Sequence, residues 1–118
     1  MRKMYRSRIA VPVLLGLTAL LAAHAASSAR PAMPARVRVA VSIENYAFQP
    51  DPITVSLGTT VVWTNRDEVT HTVVSADKLF ASPALETNRS FEFTFSKAGT
   101  FPYFCSLHPE MKGKVIVK

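Results

Sequence analysis

The sequence predicts an all-β domain, a β-sandwich or barrel of about seven or eight short strands. Three observations carry this expectation. Apolar residues recur at every second position through most of the chain beyond residue 36. Turn-forming residues interrupt these runs at short intervals. No segment there shows the 3.6-residue apolar period of a helix.

Taken in order, Val37, Val39, Val41 and Ile43 alternate with Arg38, Ala40, Ser42 and Glu44, the pattern of a half-buried strand. Ile53, Val55 and Leu57 repeat it, and Gly58 then turns the chain into TTVVWTN, Thr59 to Asn65. The polar turn Arg66-Asp67-Glu68 leads to THTVVS, Thr70 to Ser75. Asp77 to Thr87 is the longest stretch without a strand pattern and holds at most a short helical turn. Phe91, Phe93 and Phe95 alternate with Glu92, Thr94 and Ser96. Gly99 opens GTFPYFC, which puts Phe101, Tyr103 and Cys105 on one face. Pro102 has no N–H to donate, so its strand is expected at a sheet edge or with a bulge. Lys114 to Lys118 (KVIVK) closes the domain. Pattern alone implies antiparallel pairing throughout.

Residues 1–25 read as a secretory signal peptide. Arg2, Lys3, Arg6 and Arg8 precede an apolar run from Ile9 to Ala23, and Ala23-His24-Ala25 supplies an A-x-A cleavage site. The run falls short of the roughly 20 residues of a membrane-spanning helix. Cleavage and release outside the cytoplasm, in a periplasm or beyond, are therefore expected, with no stable membrane insertion afterwards. Residues 26–36 form a flexible lead-in, and 37–118 the folded domain. The chain's formal charge of +6 is largely a property of these ends. Beyond residue 25, ten basic residues face eight acidic ones, and from Val39 onward seven face eight. No basic surface for nucleic acid is expected.

Within the folded part, soft metal ligands are few and concentrated. Cys105, His108 and Met111 lie in one seven-residue span, FCSLHPEM being the surrounding text, and the remaining histidine is His71, 34 residues before the cysteine. Singly each has an ordinary structural explanation: Met111 as core filler, Cys105 as a small buried hydrophobe, His71 as a strand residue. Together they form a donor set. Structural zinc prefers four thiolate and imidazole ligands, and calcium or magnesium prefer oxygen. One thiolate, two imidazoles and a thioether match the His2Cys site with a weak axial Met of blue copper. A cysteine hydrolase built from Cys105 with His71 or His108, oriented by Asn65, lacks an evident oxyanion hole.

At these residues the chain resembles the cupredoxins of the plastocyanin–amicyanin type. The resemblance runs through YAFQPDPITVSLGTTVVWTN, the His of VTHTVVS and GTFPYFCSLHPEMKGKVIVK. The compact C-x2-H-x2-M loop is most similar to amicyanin. The resemblance implies a Greek-key sandwich with one type 1 copper ion at one end, held by His71, Cys105, His108 and axial Met111. It implies a monomeric carrier of single electrons rather than an enzyme, since four filled positions leave no place for substrate. Redox protein partners are expected to dock near the His108 edge, framed by Leu107, Pro109, Phe48 and Pro50. Copper binding and delivery in the periplasm is the alternative function. Thr72 stands where the family usually places an Asn that bridges the two ligand loops. Its N–H and hydroxyl are expected to face Cys105 and Ser106. Glu110 puts an acidic spot beside the docking surface.

Overall fold

The computed structural model describes residues 36–118 without a break, together with scattered positions among the first twenty. The segments expected as signal peptide, 1–25, and lead-in, 26–36, lie outside the described residues, apart from those positions and Arg36. The chain divides into two units, Met1–Pro31 and Ala32–Lys118, and every described strand lies in the second.

Eight strands follow one another: β1 (Arg38–Glu44), β2 (Ala47–Gln49), β3 (Ile53–Val55), β4 (Thr60–Asn65), β5 (Val74–Ser75), β6 (Ser90–Thr94), β7 (Gly99–Phe104) and β8 (Lys112–Val117). Among the described residues there is no helix. One sheet runs β2-β1-β4-β6, the other β3-β8-β7-β5. The chain leaves the first sheet after β2, enters the second as β3 and returns as β4, the crossing of a Greek-key sandwich. These crossings make two pairings parallel, β1 with β4 and β3 with β8, contrary to the antiparallel expectation. Alternation specifies which side chains face the core, and it carries no information on the direction of the neighbouring strand.

The core lies between the sheets. Trp63 of β4 and Tyr103 of β7 meet across it edge to face at 5.3 Å between ring centres, and Phe48 of β2 closes on Tyr103 at 4.7 Å. Val41, Ile43, Val61, Phe95 and Val115 fill the space around them, fully buried. Each such side chain contributes roughly 1.5–3 kcal/mol when removed from water. β7 is an inner strand of its sheet, not the edge expected from Pro102. The missing N–H is nevertheless harmless because it points past the end of the two-residue β5. The Pro102 carbonyl accepts from the N–H of Ala76, just past the end of β5, so its backbone faces the short edge of the sheet.

Three strand expectations shift. Leu57 is exposed because β3 ends at Val55 and the chain turns outward through Gly58, whose φ is +87°. Val37 precedes β1 and is also exposed. In THTVVS only Val74 and Ser75 are strand, because the first half pairs instead with the following loop. His71 exchanges backbone hydrogen bonds with Leu85, and Val73 N–H donates to Ser82 Oγ at 2.8 Å. The hairpin partner β2 is too short for periodicity to find.

Among the described glycines, Gly113 makes the tightest approach. A Cβ there falls 2.6 Å from Cζ of Tyr103, a ring that the core prevents from moving. Gly113→Ala is expected to destabilise the fold by about 1–3 kcal/mol, read as a lower Tm in calorimetry. An unchanged Tm would show that the Tyr103 ring can yield.

Candidate metal centre

Cys105 follows directly on β7, and Met111 directly precedes β8, so the span between them is the loop joining two adjacent strands. The loop closes on itself through backbone hydrogen bonds. Cys105 N–H donates to Met111 O at 3.0 Å, Met111 N–H to His108 O at 2.8 Å and His108 N–H to Cys105 O at 3.3 Å. Spacing alone therefore turns His108 back toward Cys105. His71 arrives from the other ligand loop, which begins where β4 ends at Asn65.

Three donor atoms converge. The Nδ1 atoms of His71 and His108 are 3.2 Å apart, and Sγ of Cys105 is 3.7 Å from each. The point equidistant from all three lies about 2 Å from each, the length of metal–imidazole and metal–thiolate bonds, ~2.0–2.3 Å for zinc. Three Lewis bases at these separations can share one metal ion. His71 and Cys105 are fully buried, while His108 is half-buried, as expected for the ring that reaches the surface. Met111 is buried beside them, at 5 % exposure. Thiolate and thioether together suit copper better than zinc, calcium or magnesium, so the residues fit the ion the sequence implied.

Electrostatics favour the thiolate. Burial pushes the Cys105 thiol up, but it is outweighed. The Thr72 N–H at 3.3 Å, the His71 and His108 rings and the Leu107 N–H lower its pKa to about 6. Thr72 also answers the question raised by the missing Asn. Its hydroxyl accepts from Ser106 N–H at 2.8 Å and meets Ser106 Oγ at 2.7 Å, so the bridge between the ligand loops persists through a shorter side chain.

Two residues that carry the site escaped the sequence reading. Asp67 accepts the Nε2–H of His71 at 2.8 Å, which leaves Nδ1 as the ring nitrogen that faces the site. Burial raises the pKa of this carboxyl, yet N–H groups of Tyr46 and Asn45 and the His71 ring hold it below the usual carboxylate range. Tyr46 stands edge-on to both rings, 5.4 Å from His71 and 5.1 Å from His108. It also takes the place expected of Phe48 and Pro50. A surface cavity of ≈ 440 Å³ is lined by Tyr46, Leu107, His108, Pro109, Glu110 and Met111. Phe48 lies in the core because its strand turns it inward. The only legible hint of Asp67 was its position four residues before His71.

Asn65 is engaged elsewhere than a hydrolase would need. Its amide donates to Val69 O and Leu85 O, both at 2.8 Å, and its oxygen accepts from Asp67 N–H at 2.9 Å. It shapes the loop that presents Asp67 and His71, with no polar group left to orient a catalytic base.

Removing the hydroxyl by Thr72→Val keeps the N–H to sulfur while cutting the bridge to Ser106. A loss of about 1–3 kcal/mol is expected from the stranded Ser106 N–H, measured by denaturant unfolding. Stability equal to wild type would mean water replaces the bridge.

A family model described as a cupredoxin-like domain matches residues 13–117. The chain is 33% identical over 85 residues to the amicyanin of Paracoccus denitrificans, covering 68% of this chain and 65% of that one, just under two thirds of its length. It is 33% identical over 106 residues to amicyanin-alpha of Methylorubrum extorquens, covering 86% and 87%. A solved structure, a purple cupredoxin from Nitrosopumilus maritimus, superposes with a TM-score of 0.65 at 34% identity, covering 68% of this chain and 99% of that one.

Proposed function

This chain belongs to the cupredoxin-like family, and from that premise we propose that it is an exported blue copper protein that carries single electrons between redox partners. Bound copper supplies a one-electron Cu(II)/Cu(I) couple. The observation that carries the reading is the triangle of His71 Nδ1, Cys105 Sγ and His108 Nδ1, with sides of 3.2, 3.7 and 3.7 Å. In this reading Cys105 would give the thiolate, His71 and His108 would bind through Nδ1, and Met111 would give a weaker thioether donor.

The remaining residues serve transfer. The half-buried His108 ring is the conductor to a partner protein. Exposed Leu107 and Tyr46 with Pro109 offer the partner an apolar seat, and Glu110 adds a negative spot at its margin. Asp67 and Thr72 keep the donors in place, which limits rearrangement between oxidation states. Fixed donors also argue against delivery, where a metal must be surrendered through exchangeable ligands. Four donors from one chain leave no open position for substrate, so a carrier is favoured over an enzyme. The basic and apolar segment at 1–25 is read as the export signal, with 26–36 as lead-in and a monomeric domain at 37–118.

Voltammetry of the copper-loaded chain tests this function. A reversible one-electron wave, with copper retained in the presence of a Cu(I) chelator, is expected. Ready surrender of Cu(I) to the chelator would turn the assignment to copper delivery. Variants test the ligand ranks. Cys105→Ser is expected to abolish the intense visible band, whereas Met111→Gln should keep copper with a shifted potential. If Met111→Gln lost copper altogether, the weak axial role would be wrong.

A further inference from the structure

We propose that Tyr46 is a positioning residue of the metal centre, a wall set against both histidine rings and held in place by Asp67. The backbone gives the first reason. Asn45 and Tyr46 have φ of 53° and 58°, two successive left-handed residues in the turn between β1 and β2. Asn is at home in that conformation, while a bulky aromatic residue there is a rarity that calls for a cause. Gly or Asn is the residue this turn prefers at both positions, so the turn alone does not account for Tyr46.

The side chain gives the second reason. Its ring meets His71 at an interplanar angle of 89° and His108 at 90°. One residue thus touches both imidazoles, although they come from different loops. The turn itself is fastened by the carboxylate that orients His71. Asn45 N–H donates to Asp67 Oδ1 at 2.7 Å, Tyr46 N–H to Oδ2 at 3.0 Å, and His71 Nε2–H to the same Oδ2 at 2.8 Å. A single carboxylate therefore fixes both the tautomer of a ligand and the position of the ring beside it. Asp67 acts through His71, and Tyr46, besides its exposed surface, acts on the site through both histidines. Removing this ring would open the two imidazoles to water, and water favours the more highly charged form of a loaded site.

The consequence for potential rests on the copper reading above, whereas the geometry can be tested without metal. In the metal-free chain, NMR should show nuclear Overhauser contacts from the Tyr46 ring to both histidine rings and a single Nε2–H tautomer of His71. Asp67→Asn offers one acceptor atom to three N–H donors, so contacts and single tautomer should be lost together. Persistence of the ring contacts in Asp67→Asn would overturn the proposal. In the copper-loaded chain, Tyr46→Ala should raise the Cu(II)-to-Cu(I) affinity ratio about tenfold, a fall of ~59 mV for a one-electron couple. Tyr46→Phe restores the ring and should recover most of that fall. A potential unchanged in Tyr46→Ala, or lowered equally in Tyr46→Phe, would contradict the wall. Should Asp67→Asn fail to fold, the two Tyr46 variants decide the matter. A chain that bound no copper but kept the metal-free contacts and tautomer would overturn the function and leave the positioning intact.

Discussion

Nδ1 of His71, Nδ1 of His108 and Sγ of Cys105 all lie within 3.7 Å of one another, a spacing that needs a shared proton or metal ion among them. The rest of this domain is arranged to hold them there regardless. Each donor is anchored away from the others. His71 is tied at Nε2 to Asp67, Cys105 is tied through its sulfur to the Thr72 N–H, and His108 is tied by the backbone of its own short loop. The burial of His71 and Cys105 removes water from the donors and makes the thiolate depend on the few hydrogen-bond donors that reach it.

The sandwich supplies the stiffness those anchors need. β4 and β7 carry Trp63 and Tyr103 into the middle of the core, and the same strands deliver Asn65 and Cys105 at one end. Asn65 spends its whole side chain on the loop backbone, fixing Asp67 and Val69 relative to Leu85. A disturbance in the core is thus transmitted to the donors through covalent neighbours. Hydrogen bonds inside a buried region are strong when all are satisfied and costly when one partner is missing. The site is rigid because its polar groups are nearly all paired.

Much of this was legible in the sequence. The alternation of Phe91, Phe93 and Phe95 and of Val39, Val41 and Ile43 gave the strands, since a two-residue period is a local property. The donor set was legible because three of its members are local, and because only His71 was left to complete it. What escaped is non-local. Asp67 looked like a turn residue, and its link to Asn45 and Tyr46 joins positions 22 and 21 residues apart. Phe48 was placed beside His108 as a loop residue by the family resemblance, and a three-residue strand is too short for alternation to show otherwise. The parallel pairings escaped for a related reason, since direction belongs to the connections between sheets. Thr72 was read correctly as facing Cys105 and Ser106. Only the structure showed that its hydroxyl keeps the bridge that an Asn makes elsewhere.

The central claim is that Cys105, His71 and His108 are one copper site with the thiolate bound directly. Titration of the purified chain with Cu(II), followed by visible absorption, tests it most directly. An intense thiolate-to-copper band that saturates at one equivalent is the predicted result. Copper taken up without that band would contradict the assignment of Cys105, and no uptake would contradict the site itself.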